Sequence, residues 1–210
     1  RGEREFYGLP FRVDARVLVP RPDTEALVEV ALQRSSHVAL SMRLLDLCTG
    51  SGCVAITLAR QRPTAKVVAS DISAGALAVA RDNALRLGAY NVAFLEGDLF
   101  EALPQGQRFD VVTANPPYIP TAECEELMPD VRDYEPRLAL DGGPDGLDLV
   151  RRIIDGALEV LVAGGALAME IGEGEAPAVR ALFEERGYRD VRVDRDYAKI
   201  ERVVSGVRPA

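Results

Sequence analysis

The chain has 210 residues, with 25 Lys and Arg against 33 Asp and Glu, a formal net charge of −8. With 48% hydrophobic and 28% charged residues it is globular in composition, and its length suits one large domain with at most a small appendage. The acidic balance argues against direct nucleic-acid binding or an anionic membrane surface; one histidine and three cysteines outside any Cys-x-x-Cys pair argue against a disulfide framework or a metal site.

The opening reads as a hairpin. Glu5-Phe6-Tyr7 and Phe11-Arg12-Val13 flank a turn at Gly8-Leu9-Pro10, and 16–19 is a second extended run. Pro20-Arg21-Pro22 stops it. Asp23 or Thr24 then caps a helix whose Leu27, Val30 and Ala31 fall at helical spacing. From about Met42, strands and helices alternate. Strands are expected at 44–47, 66–70, 92–95, 109–114 and 165–170. Helices are expected at 54–60, from the Ser73 cap to the Gly88 stop, at 147–161 and at 176–185. The chain closes with two strands, 190–193 and 201–204, without a helix between them. Such alternation predicts an α/β fold with a mostly parallel, doubly wound sheet, and the closing pair predicts one antiparallel edge strand. The stretch 119–145 is too long for an ordinary connection and is expected to be a functional loop. Its Cys124 reads as a packed thiol. The division expected is a hairpin and linker at 1–22 and one catalytic domain at 23–210.

Asp46-Leu47-Cys48-Thr49-Gly50-Ser51-Gly52 joins the first strand of this series to a helix. Glycines there let the backbone turn tightly and approach a ligand, which in such sheets lies beyond the carboxyl ends of the strands. Asp71 ends the next strand, roughly 20 residues further on, where a carboxylate can accept from two ribose hydroxyls. Taken alone the turn is ambiguous. Gly50-x-Gly52-x-x-Ala55 satisfies the dinucleotide fingerprint, and Asp46-x-x-x-Gly50-x-Gly52 equally suits the glycine loop of S-adenosylmethionine enzymes. Asp98, after the third strand of the series, suits either an adenine amino group or a turn.

Asn115-Pro116-Pro117-Tyr118 follows the fourth strand of the series and so opens onto the same crevice. The prolines stiffen the segment and offer carbonyls without N–H groups, and Asn115 adds a side-chain acceptor. The pattern suits a planar –NH2 group, both of whose hydrogens meet the Asn115 side-chain oxygen and the Pro116 carbonyl while Tyr118 stacks on its face. Holding those hydrogens turns the nitrogen lone pair toward an electrophile, and in-line displacement of a sulfonium methyl then follows largely from positioning.

With these segments the sequence resembles the protein-(glutamine) methyltransferases that modify peptide chain release factors. Further matching segments are Phe6-Tyr7-Gly8-Leu9-Pro10-Phe11, Val19-Pro20-Arg21-Pro22-Asp23-Thr24-Glu25 and the run from Glu135-Pro136-Arg137 through Gly142-Gly143 to Asp145-Gly146-Leu147. The resemblance implies a Rossmann-like class I methyltransferase with a seven-stranded sheet after the hairpin. It implies that Cys48, Thr49, Gly50, Ser51, Gly52, Asp71, Asp98, Leu99 and Asn115 surround S-adenosylmethionine. It implies that Asn115, Pro116, Pro117 and Tyr118 hold the glutamine amide of a release factor's Gly-Gly-Gln loop, with Pro20-Arg21-Pro22 at the entrance. The family carries a small helical domain ahead of the hairpin, where this sequence starts. A monomer in the cytoplasm is expected, since the N-terminal residues lack a signal-peptide core and no apolar run reaches the roughly 20 residues of a membrane span. The alternative is a paralogue acting on another planar amino nitrogen, in nucleic-acid adenine or a small metabolite. A nicotinamide oxidoreductase would fit the glycine turn and leave the tetrapeptide unexplained.

Overall fold

A computed structural model describes residues 2–38, 41–132 and 134–210; Arg1, Ala39, Leu40 and Asp133, the last within the 119–145 stretch, lie outside the described residues. Strands β1 (Glu3–Phe6) and β2 (Leu9–Arg12) form an antiparallel hairpin. Its turn is Tyr7-Gly8, both with positive φ (51° and 73°), the geometry whose twist suits a two-residue hairpin loop. This is earlier than the expected turn at Gly8-Leu9-Pro10. Leu9 and Pro10 instead belong to β2, where proline is tolerated because the sheet has only edges. Phe6 and Phe11 are buried and meet edge to face at 6.0 Å between ring centroids. They join the hairpin to the main core.

The extended run expected at 16–19 forms no strand: the chain turns at Arg16 and bends at Val17, and 18–19 belong to no regular element. The Asp14 side chain accepts from the Arg16 backbone N–H at 3.0 Å and binds the Arg16 guanidinium, with Nη2 at 2.6 Å. This local capture competes with strand pairing. A single 3-10 turn, Pro22–Thr24, then leads into α1 (Glu25–Arg34).

The remaining elements follow the expected alternation: β3 (Arg43–Leu47), α2 (Cys53–Gln61), β4 (Lys66–Asp71), α3 (Ala74–Arg86), β5 (Val92–Glu96) and β6 (Phe109–Ala114). After the long loop, which holds the short α4 (Pro129–Arg132), come α5 (Asp148–Val160), β7 (Leu161–Glu170), α6 (Ala176–Glu185), β8 (Arg189–Arg195) and β9 (Glu201–Val207). Ser73 caps α3 as expected, its hydroxyl accepting from the Ala76 N–H at 3.1 Å.

The seven-stranded sheet has the order β5-β4-β3-β6-β7-β9-β8. Strands β3 to β7 pair in parallel, and β9 runs antiparallel between β7 and the edge strand β8. Successive side chains of a strand face opposite ways, so Leu44, Val111, Ala168 and Val203 enter the core beneath α1 and α2. Their neighbours Leu45, Val112, Leu167 and Val204 enter the second core, beneath α5 and α6. The α5 helix supplies Val150, Ile153, Ile154 and Ala157 to that second core, one buried stripe at helical spacing. The strand order reverses between β3 and β6, and the crevice at such a switch point is where ligands bind in open α/β sheets. Leu47 pairs with Ala114, so Cys48 and Asn115 leave the sheet side by side. Among the described residues, no helix is long and apolar enough to cross a membrane.

Candidate active site

The glycine loop is held from below and from the side. Asp46 is buried, and its two oxygens accept from the hydroxyls of Thr49 (2.6 Å) and of Thr113 on β6 (2.7 Å). Burial pushes its carboxyl up to about 6, against the pull of those two hydroxyls and the Ala55 N–H. Asp71, at the end of β4, accepts from the Gly50 N–H at 2.8 Å and the Ser73 N–H at 2.9 Å. Burial raises its carboxyl too, while the same backbone N–H groups favour its charge. Asp71 therefore fixes the loop that follows the neighbouring strand, and each of its oxygens keeps a lone pair for a ligand.

Gly50 and Gly52 serve different ends. Both have positive φ, 54° and 80°. A Cβ on Gly52 would lie 2.9 Å from Ile56 Cδ1 and 3.1 Å from Ala80 Cβ, so this glycine permits the close approach of α2 and α3. A Cβ on Gly50 would meet nothing within 4 Å: it faces open space.

That space is a cavity of about 320 Å³. Of the residues expected to form the site, Cys48, Thr49, Gly50, Ser51, Asp71, Asp98, Leu99, Asn115 and Pro117 line it; Gly52, Pro116 and Tyr118 do not. The hydroxyls of Ser51 and of Ser70, a further wall residue, are buried without a hydrogen-bond partner among the described residues. Burial, with Asp71 and Asp46 nearby, pushes the Cys48 thiol up, and burial likewise takes Cys53 to about 12. Both thiols are thus neutral and poorly suited to nucleophilic chemistry.

Other walls escape the sequence reading. Val17 and Arg16 come from the turn that replaces the expected strand, and Leu138 and Ala139 from the long loop. Arg152, on α5, donates to Asp98 Oδ2 at 2.8 Å, so one oxygen of that carboxylate is already engaged. An arginine on the exposed face of an amphipathic helix carries no signal of such a role. Pro20, from the proline-flanked segment, and Pro136, from the Glu-Pro-Arg segment, also line the cavity. Their neighbours Arg21 and Glu135 pair at 2.5 Å, tying the linker to the long loop. Burial raises the Glu135 carboxyl, and Arg21 opposes the rise.

The tetrapeptide leaves β6 as a braced corner. Asn115 donates through Nδ2 to Thr24 Oγ1 at 3.3 Å, which leaves its Oδ1 as the end free to accept. Pro116 and Pro117 are buried. The Tyr118 hydroxyl donates to Glu170 Oε1 on β7 at 3.5 Å, and burial beside that carboxylate raises it. The long loop folds back against the corner: the Ile119 N–H donates to the Leu140 carbonyl at 3.0 Å and the Gly142 N–H to the Ile119 carbonyl at 2.8 Å. A Cβ on Gly142 would lie 2.8 Å from both the Pro117 carbonyl oxygen and Tyr118 Cα. At Gly142 and Gly146 the tetrapeptide backbone occupies the space a side chain would need, whereas at Gly143 that space is taken by the Asp148 side chain.

A cavity at the switch point, walled by a glycine loop on one strand end and a carbonyl-rich corner on the next, on a sheet of this order, defines a methyltransferase. Residues 40–173 match the family model described as a methyltransferase domain. The chain belongs to the release factor glutamine methyltransferase family. It is 51% identical over 205 residues to the release factor glutamine methyltransferase of Geobacter sulfurreducens, covering 98% of this chain and 70% of that one. It is 48% identical over 205 residues to the Bordetella pertussis enzyme of the same name, covering 98% and 75%. Among solved structures it resembles the release factor-specific protein-(glutamine-N5) methyltransferase of Alicyclobacillus acidocaldarius, at 29% identity and a TM-score of 0.57, over 95% of this chain and 100% of that one. A Pyrococcus furiosus methyltransferase shares the fold, with a TM-score of 0.71 at 18% identity over 98% and 91% of the two chains.

Proposed function

We propose that this chain, as a cytoplasmic monomer, transfers a methyl group from S-adenosylmethionine to the side-chain amide nitrogen of the glutamine in a release factor's Gly-Gly-Gln loop. The observation that carries the reading is the Asn115 amide: its nitrogen is engaged by Thr24, and its oxygen is left as an acceptor on the cavity wall beside the glycine loop.

The residues present fit the cofactor. Gly50 leaves open space where a side chain would stand, and Asp71 at the same wall keeps acceptor capacity on both carboxylate oxygens. Asp71 would accept from the ribose hydroxyls, Asp98 through its remaining oxygen from the adenine amino group, and Leu99 would pack on the base. Cys48, Thr49, Gly50 and Ser51 would supply the loop that follows its contour, with Gly52 holding the helix behind that loop. S-adenosylmethionine, when bound, supplies an electrophilic methyl group on a sulfonium.

The chain's own work is on the acceptor. An amide nitrogen is a poor nucleophile because its lone pair is delocalised into the carbonyl. Asn115 Oδ1 and the Pro116 carbonyl would accept both N–H bonds and so hold the amide with the face that carries its nitrogen lone pair toward the donor. The two prolines fix those acceptors before substrate arrives, and Tyr118 would flank the amide face. No strong base is needed first, because the nitrogen becomes acidic once methylated. The glycines beside the substrate glutamine let one side chain enter a narrow slot.

The test is transfer of radiolabelled methyl to a purified release factor, with a control in which the Gly-Gly-Gln glutamine is substituted. Label that depends on that glutamine and is abolished by Asn115→Ala, at retained binding of S-adenosylhomocysteine, is the expected result. Label on the substituted control would remove the proposed acceptor.

A further inference from the structure

The cavity wall at 98–100 is set by α5, which comes from another part of the chain. Asp98 is the N-cap of the single 3-10 turn Leu99–Ala102. An aspartate there ordinarily folds back onto the first N–H groups of its turn, yet its side chain makes no cap hydrogen bond. Its Oδ2 accepts instead from Arg152 Nη2 at 2.8 Å, 54 residues away. Leu99, next in the chain, is buried with a positive φ of 49°, a conformation that a residue with a side chain keeps when its surroundings impose it. Phe100 packs against α5 where Gly156 leaves room: a Cβ on that glycine would collide with the Phe100 ring.

Leu149, Arg152 and Gly156 recur at helical spacing and so share one face of α5. Leu149 and Arg152 line the cavity. That face runs beside the stripe of Val150, Ile153, Ile154 and Ala157, which anchors α5 in the second core. A core-anchored helix therefore carries the guanidinium to a carboxylate on the cavity wall. The side chains of Arg152 and Asp98 are 49% and 36% exposed, and ion pairs that open to water contribute little to stability. What the pair sets is direction. A carboxylate turns about its last bond and can fall back on its own turn. With Oδ2 engaged by Arg152, Asp98 is drawn off that turn, and Oδ1 is the oxygen left to a ligand. An acceptor held in one place favours a base with an exocyclic amino group over one without.

We propose that Arg152, through its hydrogen bond to Asp98, is a positioning residue that presents the Asp98 carboxylate to the amino group of the donor's adenine and so sets the preference of the site for a 6-aminopurine. The inference rests on the place given above to S-adenosylmethionine and to Asp98.

The test compares calorimetric binding of S-adenosylhomocysteine with that of its analogue carrying hydrogen in place of the adenine amino group. The ratio of the two affinities isolates the amino contact, because ribose, homocysteine and ring are common to both. In the wild type the ratio should be about 10 or more, the worth of a hydrogen bond to a charged group. Asp98→Ala should bring it near unity. Arg152→Ala should lower it at least about threefold while the melting temperature stays that of the wild type, and Arg152→Lys, which keeps the charge on a different head group, should recover part of it. Arg152→Ala added to Asp98→Ala should change the ratio no further. Arg151 supplies the charge control: it pairs with Asp145 at 2.5 Å and Asp148 at 3.4 Å, so Arg151→Ala removes the same charge one residue away and should leave the ratio unchanged. A wild-type ratio in Arg152→Ala, with Asp98→Ala near unity, overturns the proposal and leaves the role of Asp98 standing. An equal loss in Arg151→Ala, or a loss in Arg152→Ala accompanied by a lower melting temperature, also overturns it. A wild-type ratio in Asp98→Ala removes the adenine contact of Asp98 and the proposal together.

Discussion

Asn83 on α3 pairs with Arg12 on β2 as one backbone pairs with another: the Arg12 N–H donates to Asn83 Oδ1 at 2.8 Å, and Asn83 Nδ2 donates to the Arg12 carbonyl at 3.0 Å. The same Nδ2 also donates to the Ser51 carbonyl at 3.0 Å, so one buried side chain joins the hairpin to the glycine loop. Asn83→Ala would leave these backbone groups without partners. Unmet buried polar groups cost on the order of 1–3 kcal/mol each, and water entering the gap offsets part of that. The expected loss is about 2–4 kcal/mol, measured by urea denaturation, together with weaker binding of S-adenosylhomocysteine. An unchanged midpoint would show that Asn83 joins nothing of consequence.

Asp71 grips Gly50 and Ser73 by two charge-assisted hydrogen bonds. Asp71→Ala releases the loop and removes the proposed ribose acceptor. At about 1.5–3 kcal/mol for a hydrogen bond to a charged group, affinity for S-adenosylmethionine should fall roughly 10- to 100-fold. Transfer at saturating donor should change much less. Calorimetry and single-turnover rates separate the two; a loss confined to the rate would contradict the assignment.

Two alanine substitutions distinguish the walls of the cavity. At Gly50 the added methyl enters open space but forces a positive φ of 54° on a residue with a side chain, so donor binding should suffer first. At Gly142 the methyl would meet the Pro117 carbonyl oxygen at 2.8 Å and displace the corner, so transfer should suffer with donor binding near normal. Steady-state kinetics that showed the opposite split would refute this division of labour.

Asp46 and Glu170 shape the pH dependence of stability. Their carboxyls rise from 3.8 and 4.5 to about 6 and about 7 in the folded chain. The folded state therefore holds protons that the unfolded state has released, and the stability this confers is full below the unfolded values and is lost as pH rises through 6 and then 7. Asp145, lowered to about 2 by Arg151, acts in another window, losing its contribution only as pH falls through 2. Replacing Glu170 by leucine removes its share, each tenfold change in proton affinity being worth about 1.4 kcal/mol. The stability difference between variant and wild type should move in the variant's favour by on the order of 3 kcal/mol between pH 5 and pH 8. Denaturation at both values measures it; an equal difference at the two would show that the Glu170 carboxyl titrates as an ordinary one.

Much of the architecture is legible without coordinates, and the failures have physical causes. The alternation of elements, the Ser73 cap and the glycine turn are written in local pattern, and the structure contains them. The hairpin turn falls earlier than its sequence suggests because Leu9-Pro10 looks like a turn, whereas Tyr7-Gly8 adopts the positive φ angles that close one. The run 16–19 looks extended, but Asp14 captures Arg16 and bends it. Thr24 reads as a helix cap; its hydroxyl turns to Asn115, 91 residues away.

Residue identity alone carries the stiffness of the Pro-Pro corner, the permissive backbone at Gly50 and Gly52, and the order of strands and helices, because each follows from restrictions between chain neighbours that travel with the sequence. Which end of the Asn115 amide is left free, which arginine engages Asp98, and which buried glutamate stands behind the corner follow from no such restriction. They depend on elements far apart in the chain arriving at the same strand ends, and that arrival is set by sheet order and by packing in the two cores.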